Sequence, residues 1–302
     1  PEGAPPRELD YPDDNAPNGQ ASYTYTGKGG VEIGSPFNRV LFAAKYQEPN
    51  ILLSDNVNEA SKILEVRDPR DRVEKVAPWL TVDGDPYPVV ADGRVLWIVD
   101  AYTTTDKYPN ASPISLNEAT TDAVSQRASN LAVQPRDEIN YIRNAVKATV
   151  DAYDGTVTLY EWDETDPLLK TWMKVFPDTV KDRSEMPESI LEHVRYPEDI
   201  FKVQRLVFAK YHVTDPGSFY SGQDFWTVPD DPTRTASQVF QPPYYLQIQM
   251  PGMAAPAFSL TTTFAPQRRQ TLLAFMGVNS EPGENYGQIR VLQLPSNTTI
   301  SG

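Results

Sequence analysis

Residues 139–162 read INYIRNAVKATVDAYDGTVTLYEW, and this stretch decides the fold. Two runs rich in apolar and β-branched residues flank the dipeptide Asp154-Gly155. Aspartate and glycine tolerate the positive backbone angles of a tight turn. The pattern therefore predicts two antiparallel strands that fold back on each other as a hairpin.

A second stretch carries the same signals. Residues 87–91 and 94–102 flank Asp92-Gly93 and predict another hairpin. The two hairpins resemble each other, which would follow from a duplication or from shared turn chemistry alone. We favour shared turn chemistry.

The C-terminal part of the chain predicts a sheet of its own. From residue 244 onward, four segments are apolar or alternate in polarity: YYLQIQM, AFSLTTTF, TLLAFMGV and QIRVLQL. Turn signals at Pro251-Gly252 and Pro282-Gly283 separate them. This spacing predicts a four-stranded antiparallel meander.

Proline opens the predicted helices, because proline at the first helical position loses no hydrogen bond and a preceding Ser or Asp can cap the free amides. The starts predicted in this way are Ser35-Pro36, Asp68-Pro69, Asp166-Pro167, Pro187, Pro197 and Asp215-Pro216. In the first helix one face carries Phe37, Val40, Leu41 and Ala44. Together the signals predict an α+β fold with antiparallel hairpins, a C-terminal meander and several short proline-initiated helices.

The predicted domain division is simple. Residues 1–30 are rich in Pro, Gly, Asp and Asn and predict an extended N-terminal arm. Residues 31–302 predict one α+β domain, with a sub-boundary allowed in the Ser-, Thr- and Asn-rich loop 104–135.

Composition excludes several classes of function. The formal net charge of −14 disfavours nucleic acid and anionic lipid as partners, so we expect no nucleic-acid binding. The chain has no cysteine, which rules out disulfides, thiolate catalysis and cysteine-bound zinc. Its two histidines are too few for a multi-histidine metal site. No apolar run approaches the ~20 residues that span a bilayer, and we expect the chain as given to be soluble.

Four long segments resemble one family. They are VAPWLTVDGDPYPVVADGRVLWIVDAYTTTDKYP (76–109), INYIRNAVKATVDAYDGTVTLYEWDETDPLLKTWMKVFP (139–177), RYPEDIFKVQRLVFAKYHVTDPGSFYSGQDFW (195–226) and QPPYYLQIQMPG (241–252). The family consists of uncharacterised, mostly actinobacterial integral membrane proteins. Its members have several N-terminal transmembrane helices followed by a large extracytoplasmic domain. The resemblance implies that this chain is the first large portion of that domain, cut from a longer protein.

The resemblance brings no catalytic residues with it. It implies a location at the extracytoplasmic face of the cell membrane in the full-length protein. The partners that it implies are the protein's own transmembrane region and an envelope protein, a lipid or a glycan.

The most function-like polar run follows a predicted strand. It comprises Asp100, Tyr102, Thr103, Thr104, Asp106 and Tyr108. Strand ends that open into loops are common places for binding groups, so this run is the predicted binding surface. The structural alternative, which we favour slightly, is a turn in which threonine hydroxyls bond to the backbone.

A cluster of carboxylates follows the first hairpin. Its members are Glu161, Asp163, Glu164 and Asp166. Such a cluster could act as an acid/base pair or bind Ca²⁺, the only cofactor that the sequence suggests. The favoured alternative is that Asp166 caps the next helix and the others are solvated. His212 has a similar pair of interpretations, as a base beside Asp215 or as a residue that interacts with the carbonyl end of its helix.

Two functional hypotheses remain. The first is a non-enzymatic binding or interaction module of the cell envelope, favoured because the G-x-S-x-G elbow and the phosphate-binding loop are both missing. The alternative is a carboxylate-based hydrolase acting on envelope glycan, which needs two facing carboxylates at a cleft and no histidine or metal.

Overall fold

A computed structural model describes residues 8–16, 19–126, 134–233, 239–267 and 271–295. The strands in these ranges are β1 (Leu9–Pro12), β2 (Gln20–Ser22), β3 (Val31–Glu32), β4 (Lys62–Ile63), β5 (Thr81–Val82), β6 (Tyr87–Ala91), β7 (Arg94–Thr105), β8 (Ile114–Ser115), β9 (Glu138–Ile139), β10 (Tyr141–Asp151), β11 (Val157–Glu161), β12 (Val180–Lys181), β13 (Trp226–Thr227), β14 (Tyr244–Ile248), β15 (Ala257–Pro266), β16 (Ala274–Asn279) and β17 (Ile289–Gln293). The α-helices are α1 (Pro36–Tyr46), α2 (Asn50–Leu53), α3 (Pro69–Val76), α4 (Leu116–Thr120), α5 (Pro167–Val175), α6 (Glu188–Leu191), α7 (Glu198–Tyr211) and α8 (Pro216–Ser221), and Arg183–Glu185 forms a 3-10 turn.

Both predicted hairpins are confirmed and lie in the same sheet. The sheet has six strands in the order β12-β11-β10-β7-β5, with β6 also paired to β7, and all pairs except β11–β12 are antiparallel. The turn at Asp92-Gly93 has φ values of 51° and 73°, as the sequence predicts. The other hairpin turns through residues 152–156, where Gly155 has a φ of 69°.

A β-bulge at Ala145 sets the register between β10 and β7. On one side of it Asn144 pairs with Tyr102, and on the other Val146 pairs with Ala101. Because a one-residue shift moves side chains to the opposite face of a sheet, the bulge decides which residues of β10 and β7 meet.

The predicted C-terminal meander is confirmed. Strands β14, β15, β16 and β17 pair in sequence order, each antiparallel to the next. The short strand β13 pairs with the far end of β15, at Pro266 and Ala265, and completes a five-stranded sheet. Antiparallel pairing dominates the described chain, which is therefore α+β.

The predicted helix starts are also confirmed. Ser35, Asp68, Asp166 and Asp215 each accept a hydrogen bond from a backbone N–H of the helix that follows. Pro187 and Pro197 directly precede α6 and α7.

The core lies on both faces of the first sheet. One face packs against α3 and α5 through residues such as Val73, Val146 and Leu169. The other face packs against α6 through Ile98, Trp162 and Ile190. Helix α7 packs on the five-stranded C-terminal sheet through Phe201 and on α4 through Val203. It therefore links that sheet to the segment that contains α4.

The apolar face of α1 points away from the core. Phe37, Val40 and Leu41 are exposed, and Ala43 on the other side of the helix is buried. Helix α2 packs beside α1 and also exposes leucines, Leu52 and Leu53. The predicted helix forms with these apolar residues on one side, but no other element in the described chain covers this face.

The domain division stays a prediction. Within the predicted arm, β1 pairs with β2. The ring of Tyr25 lies 5.0 Å from that of Tyr153, in the turn of the β10–β11 hairpin. In the predicted loop 104–135 the structure has β8 and α4, and residues 127–133 lie outside the described ranges.

Candidate functional site

The predicted binding run is divided between the interior and the surface. Asp100, Tyr102 and Thr103 are buried because β7 continues to Thr105 and both faces of its sheet are covered. The hydroxyl of Thr103 donates to Asp166. Thr104 is half-buried and its hydroxyl bonds to Thr81 at 3.0 Å.

The remaining two residues of the run are exposed. Asp106 pairs with the adjacent Lys107 at 2.6 Å. Tyr108 stacks on Tyr141 with ring centroids 5.6 Å apart. The six residues therefore do not converge on one surface, and their role in binding stays a prediction.

The carboxylates after the first hairpin have separate partners. Asp166 is fully buried, caps α5 through the N–H groups of Leu168 and Leu169, and accepts a hydrogen bond from Tyr141. Asp163 pairs with Arg143 at 2.7 Å.

The other two members of that cluster differ in exposure. Glu164 is exposed, and burial raises the pKa of Glu161. Among the described residues no group of three or more His, Cys, Asp or Glu side chains is arranged to hold a metal ion. Calcium binding stays a prediction.

His212 lies at the C-terminal end of α7. Its Nδ1 bonds to the carbonyl of Phe208 at 2.9 Å, and its ring lies 3.8 Å from that of Trp226. Asp215 instead caps α8 through Ser218 N at 2.7 Å. These contacts fit the second interpretation, in which the histidine interacts with the carbonyl end of its helix.

A buried polar centre connects the first sheet to the N-terminus of α7. Asp83 accepts hydrogen bonds from the hydroxyl of Tyr102 and from Asp199 N. Asp199 accepts from Gly84 N at 2.9 Å and from Gln134 Nε2 at 2.7 Å. Burial raises the pKa of Asp199 to about 7, and the nearby carboxylate of Asp83 adds to the effect.

A lysine on the next turn of α7 balances part of this charge. Lys202 Nζ lies 2.7 Å from Asp122 and 2.8 Å from Glu198. Burial acts to lower the pKa of Lys202, but these carboxylates and that of Asp199 outweigh it and raise the pKa. A cavity of about 50 Å³ opens here, lined in part by Asp85 and Gln134.

A second buried ion pair crosses the first sheet. Lys147 on β10 lies opposite Asp100 on β7, and its Nζ donates to Asp100 Oδ1. Burial raises the pKa of Asp100 and lowers the pKa of Lys147, so each group is shifted toward its neutral form.

The larger groove lies elsewhere. It has a volume of about 500 Å³ and is lined by Val66, Asp71, Glu74, Lys75, Pro78 and Leu80. Its two carboxylates, those of Asp71 and Glu74, lie three residues apart on one side of α3.

The sequence interpretation did not identify Lys147, Asp199 or Lys202 as members of buried charged clusters. The signal for Lys147 was a single charge in the apolar run NAVKATV. Glu198 and Lys202 are four residues apart on a helix, and such pairs usually lie on the surface.

Comparison with known proteins places the chain among uncharacterised relatives. The sequence model described as "Uncharacterised protein family (UPF0182)" matches residues 2–302. A UPF0182 protein of Thermobifida fusca is 54% identical over 94% of this chain and 28% of its own length. UPF0182 proteins of Streptomyces coelicolor and Salinispora arenicola are 52% and 56% identical, each over 99% of this chain and 30% of its own length.

The chain thus spans about 30% of the length of these relatives. No solved structure matches it. In the part of the chain that the structure describes, no helix is both long and apolar enough to cross a membrane.

Proposed function

Since this chain belongs to UPF0182, an uncharacterised family, we propose that it is a non-enzymatic interaction module of the cell envelope, held at the extracytoplasmic face of the membrane by other parts of the full-length protein. The observation that carries the proposal is the outward apolar face of α1 and α2. We call this surface the α1–α2 face and define it by Phe37, Val40, Leu41, Leu52 and Leu53.

The α1–α2 face has the properties of a docking surface. Phe37 is 72% exposed and Leu53 78% exposed. Clustered apolar side chains of this size usually mark an interaction site. A helix that presents residues three and four positions apart can fill an apolar groove in a partner.

The proposed occupant is another segment of the same polypeptide. The Streptomyces relative has about 70% of its length outside the matched region, so most of the full-length chain is available to cover this face. An intramolecular partner is present at a high effective concentration, which would explain why an apolar face is tolerated on one portion of the protein.

The glycan hydrolase hypothesis has less support. A glycosidase needs two carboxyl groups about 5–10 Å apart that flank the bond to be broken. In the larger groove Asp71 and Glu74 lie along one side of α3. The cavity beside Asp85 has about 50 Å³, whereas small-molecule sites usually have ~300 Å³ or more.

Photo-cross-linking in the native membrane tests the docking proposal. Benzoylphenylalanine would replace Phe37 or Leu53 in the full-length protein, and Tyr220, which is 95% exposed on α8, provides the control position. We expect cross-links from α1 and α2 to a segment of the same polypeptide outside residues 1–302, and none from position 220. Cross-links only to lipid or to a different protein would contradict the proposed occupant.

A substrate panel tests the non-enzymatic part. We expect no turnover of glycosides by the intact protein. Turnover that Asp71→Asn or Glu74→Gln abolishes would establish the hydrolase instead.

A further inference from the structure

Lys147 and Asp100 form a directly opposed pair on adjacent strands. The bulge at Ala145 shifts the register of β10 so that Lys147 lies opposite Asp100 rather than Val99. Directly opposed residues of an antiparallel pair point to the same face, with Cβ atoms about 4.5–5.5 Å apart. Lys147 Nζ accordingly reaches Asp100 Oδ1.

The pair is shielded from water. The Lys147 side chain is 0% exposed and that of Asp100 is 4% exposed. The Nζ atom lies 4.8 Å from the ring centroid of Trp162 and 5.7 Å from that of Tyr286. Aromatic rings therefore cover the amine, and a desolvated lysine is a better nucleophile because its neutral form is favoured.

Two further contacts surround the reacting atoms. Asn144 Nδ2 donates to Asp100 Oδ1 at 3.1 Å and polarises that oxygen. Lys147 Nζ donates to the carbonyl oxygen of Arg195 at 3.1 Å. In an amide formed from the pair, the N–H keeps its hydrogen bond to Arg195, and the contact from Asn144 assists Oδ1 as it leaves.

Asp83 brings a second carboxylate residue next to Asp100, on the side of β7 opposite Lys147. Asp83 N donates to the backbone carbonyl of Asp100 at 2.9 Å, on the side opposite Lys147. The negative charge of Asp83 adds to burial in raising the pKa of Asp100, while burial lowers the pKa of Lys147. Burial is the largest cause of both shifts, and it favours the neutral form of each group.

We propose that Lys147 and Asp100 join covalently through an isopeptide bond between Nζ and Cγ. A proton first passes from the ammonium to the carboxylate within the hydrogen-bonded pair. The amine then attacks Cγ, the C–N bond forms, and the bond from Cγ to Oδ1, the oxygen that received the proton, breaks. The oxygen leaves as water with the transferred proton and one proton of the amine, so –NH₃⁺ and –COO⁻ become –NH–CO– and H₂O.

Comparison with Lys202 shows that the reaction needs a neutral amine. It is also buried beside carboxylates, Asp122 and Glu198, yet these hold it as an ammonium because they raise its pKa. An ammonium has no lone pair with which to attack. We therefore expect Lys202 to remain unlinked, which makes it the matched internal control.

The cross-link would give the chain a covalent brace of a kind that its composition otherwise lacks. The chain has no cysteine and so cannot form a disulfide. The new bond would tie β7 to β10, the two strands that carry the hairpins.

Intact-protein mass spectrometry of the purified chain tests the proposal. We expect a mass lower than the sequence mass by one water molecule. Digestion should release one branched peptide that joins the segments containing Asp100 and Lys147. Lys147→Met and Asp100→Ala should each have their full sequence mass, and Lys202→Met should still lose water.

Asp100→Asn tests the site of attack. It should lose ammonia instead of water and give a cross-linked chain with the same mass as the cross-linked native protein. The native chain answers the question even if a variant fails to fold. A full sequence mass for the folded native chain would overturn the proposal. So would a water loss that maps to the Asp-Gly pairs at Asp92 or Asp154, where succinimide formation gives the same mass change.

Discussion

At the scale of single residues, buried carboxylates differ in what they stabilise. Asp166 receives hydrogen bonds from two backbone amides of α5 and from the hydroxyls of Thr103 and Tyr141. It connects the start of α5 to the C-terminal part of β7 and to the first residue of β10. Asp199 instead lies beside a second carboxylate, that of Asp83.

Asp166→Ala should lower the free energy of unfolding by about 2–4 kcal/mol, because it removes a cap and leaves buried hydroxyl donors without partners. Asp215→Ala removes the exposed cap of α8 and should cost about 1 kcal/mol. Urea unfolding of both variants measures the difference. Equal losses would show that the hydroxyl contacts contribute nothing.

Asp199 should make stability depend on pH. Its pKa is about 7 in the folded state and about 4 in the unfolded state, so the folded state binds the proton more tightly. Stability should therefore fall by about 1–4 kcal/mol as the pH rises from about 4 to about 7, and should then level off.

Asp199→Asn removes this titration. Its unfolding free energy, measured between pH 4 and pH 8, should have a flatter profile than that of the native chain. An unchanged slope would place the titration on another group.

At the scale of elements, the two hairpin turns share a backbone conformation that the local sequence determines. They differ in a side-chain contact that only the fold creates. Gly93 and Gly155 have nearly the same positive φ, 73° and 69°. A Cβ at Gly93 would meet nothing within 4 Å, whereas at Gly155 it would lie 2.4 Å from the guanidinium of Arg72. Arg72 Nη1 also donates to the carbonyl of Gly155 at 2.8 Å.

Gly93→Ala should cost about 1–2 kcal/mol, the conformational penalty of the left-handed region alone. Gly155→Ala should cost about 1 kcal/mol more, since Arg72 must move and lose a hydrogen bond. Thermal or urea unfolding compares the two. If Arg72→Ala does not reduce the difference, the contact is not its cause.

Local signals predicted most of the elements. The Asp-Gly turns, the proline starts of α1, α3, α5 and α8, and the alternating strands after residue 244 each depend on neighbouring residues. The bulge at Ala145 could not be predicted in this way, because it depends on how β10 meets β7. The pairing of Lys147 with Asp100 follows from that bulge, so no local pattern indicates that the two residues meet.

At the scale of the whole molecule, apolar side chains have two different roles. Phe201 is fully buried in the core under α7, while Phe37 projects from α1. Helical periodicity identified the apolar face of α1 but could not show on which side the rest of the protein lies. The predicted binding run failed to converge for the same reason, since its exposure depends on what covers both faces of β7.

Phe37→Ser should change the free energy of unfolding of this chain by less than about 0.5 kcal/mol. Phe201→Ala should lower it by about 3–5 kcal/mol. Chemical denaturation distinguishes them. A large loss for Phe37→Ser would mean that the α1–α2 face stabilises this chain itself and is not reserved for docking.

The central position of β7 governs how the molecule opens. It pairs with β10 along most of its length on one side, and with β6 and then β5 on the other. Its amide hydrogens near Val99 should therefore exchange with deuterium only through global unfolding, whereas those of α1 should exchange through local fluctuations. The most persistent protection in the protein should thus map to the strand that carries Asp100.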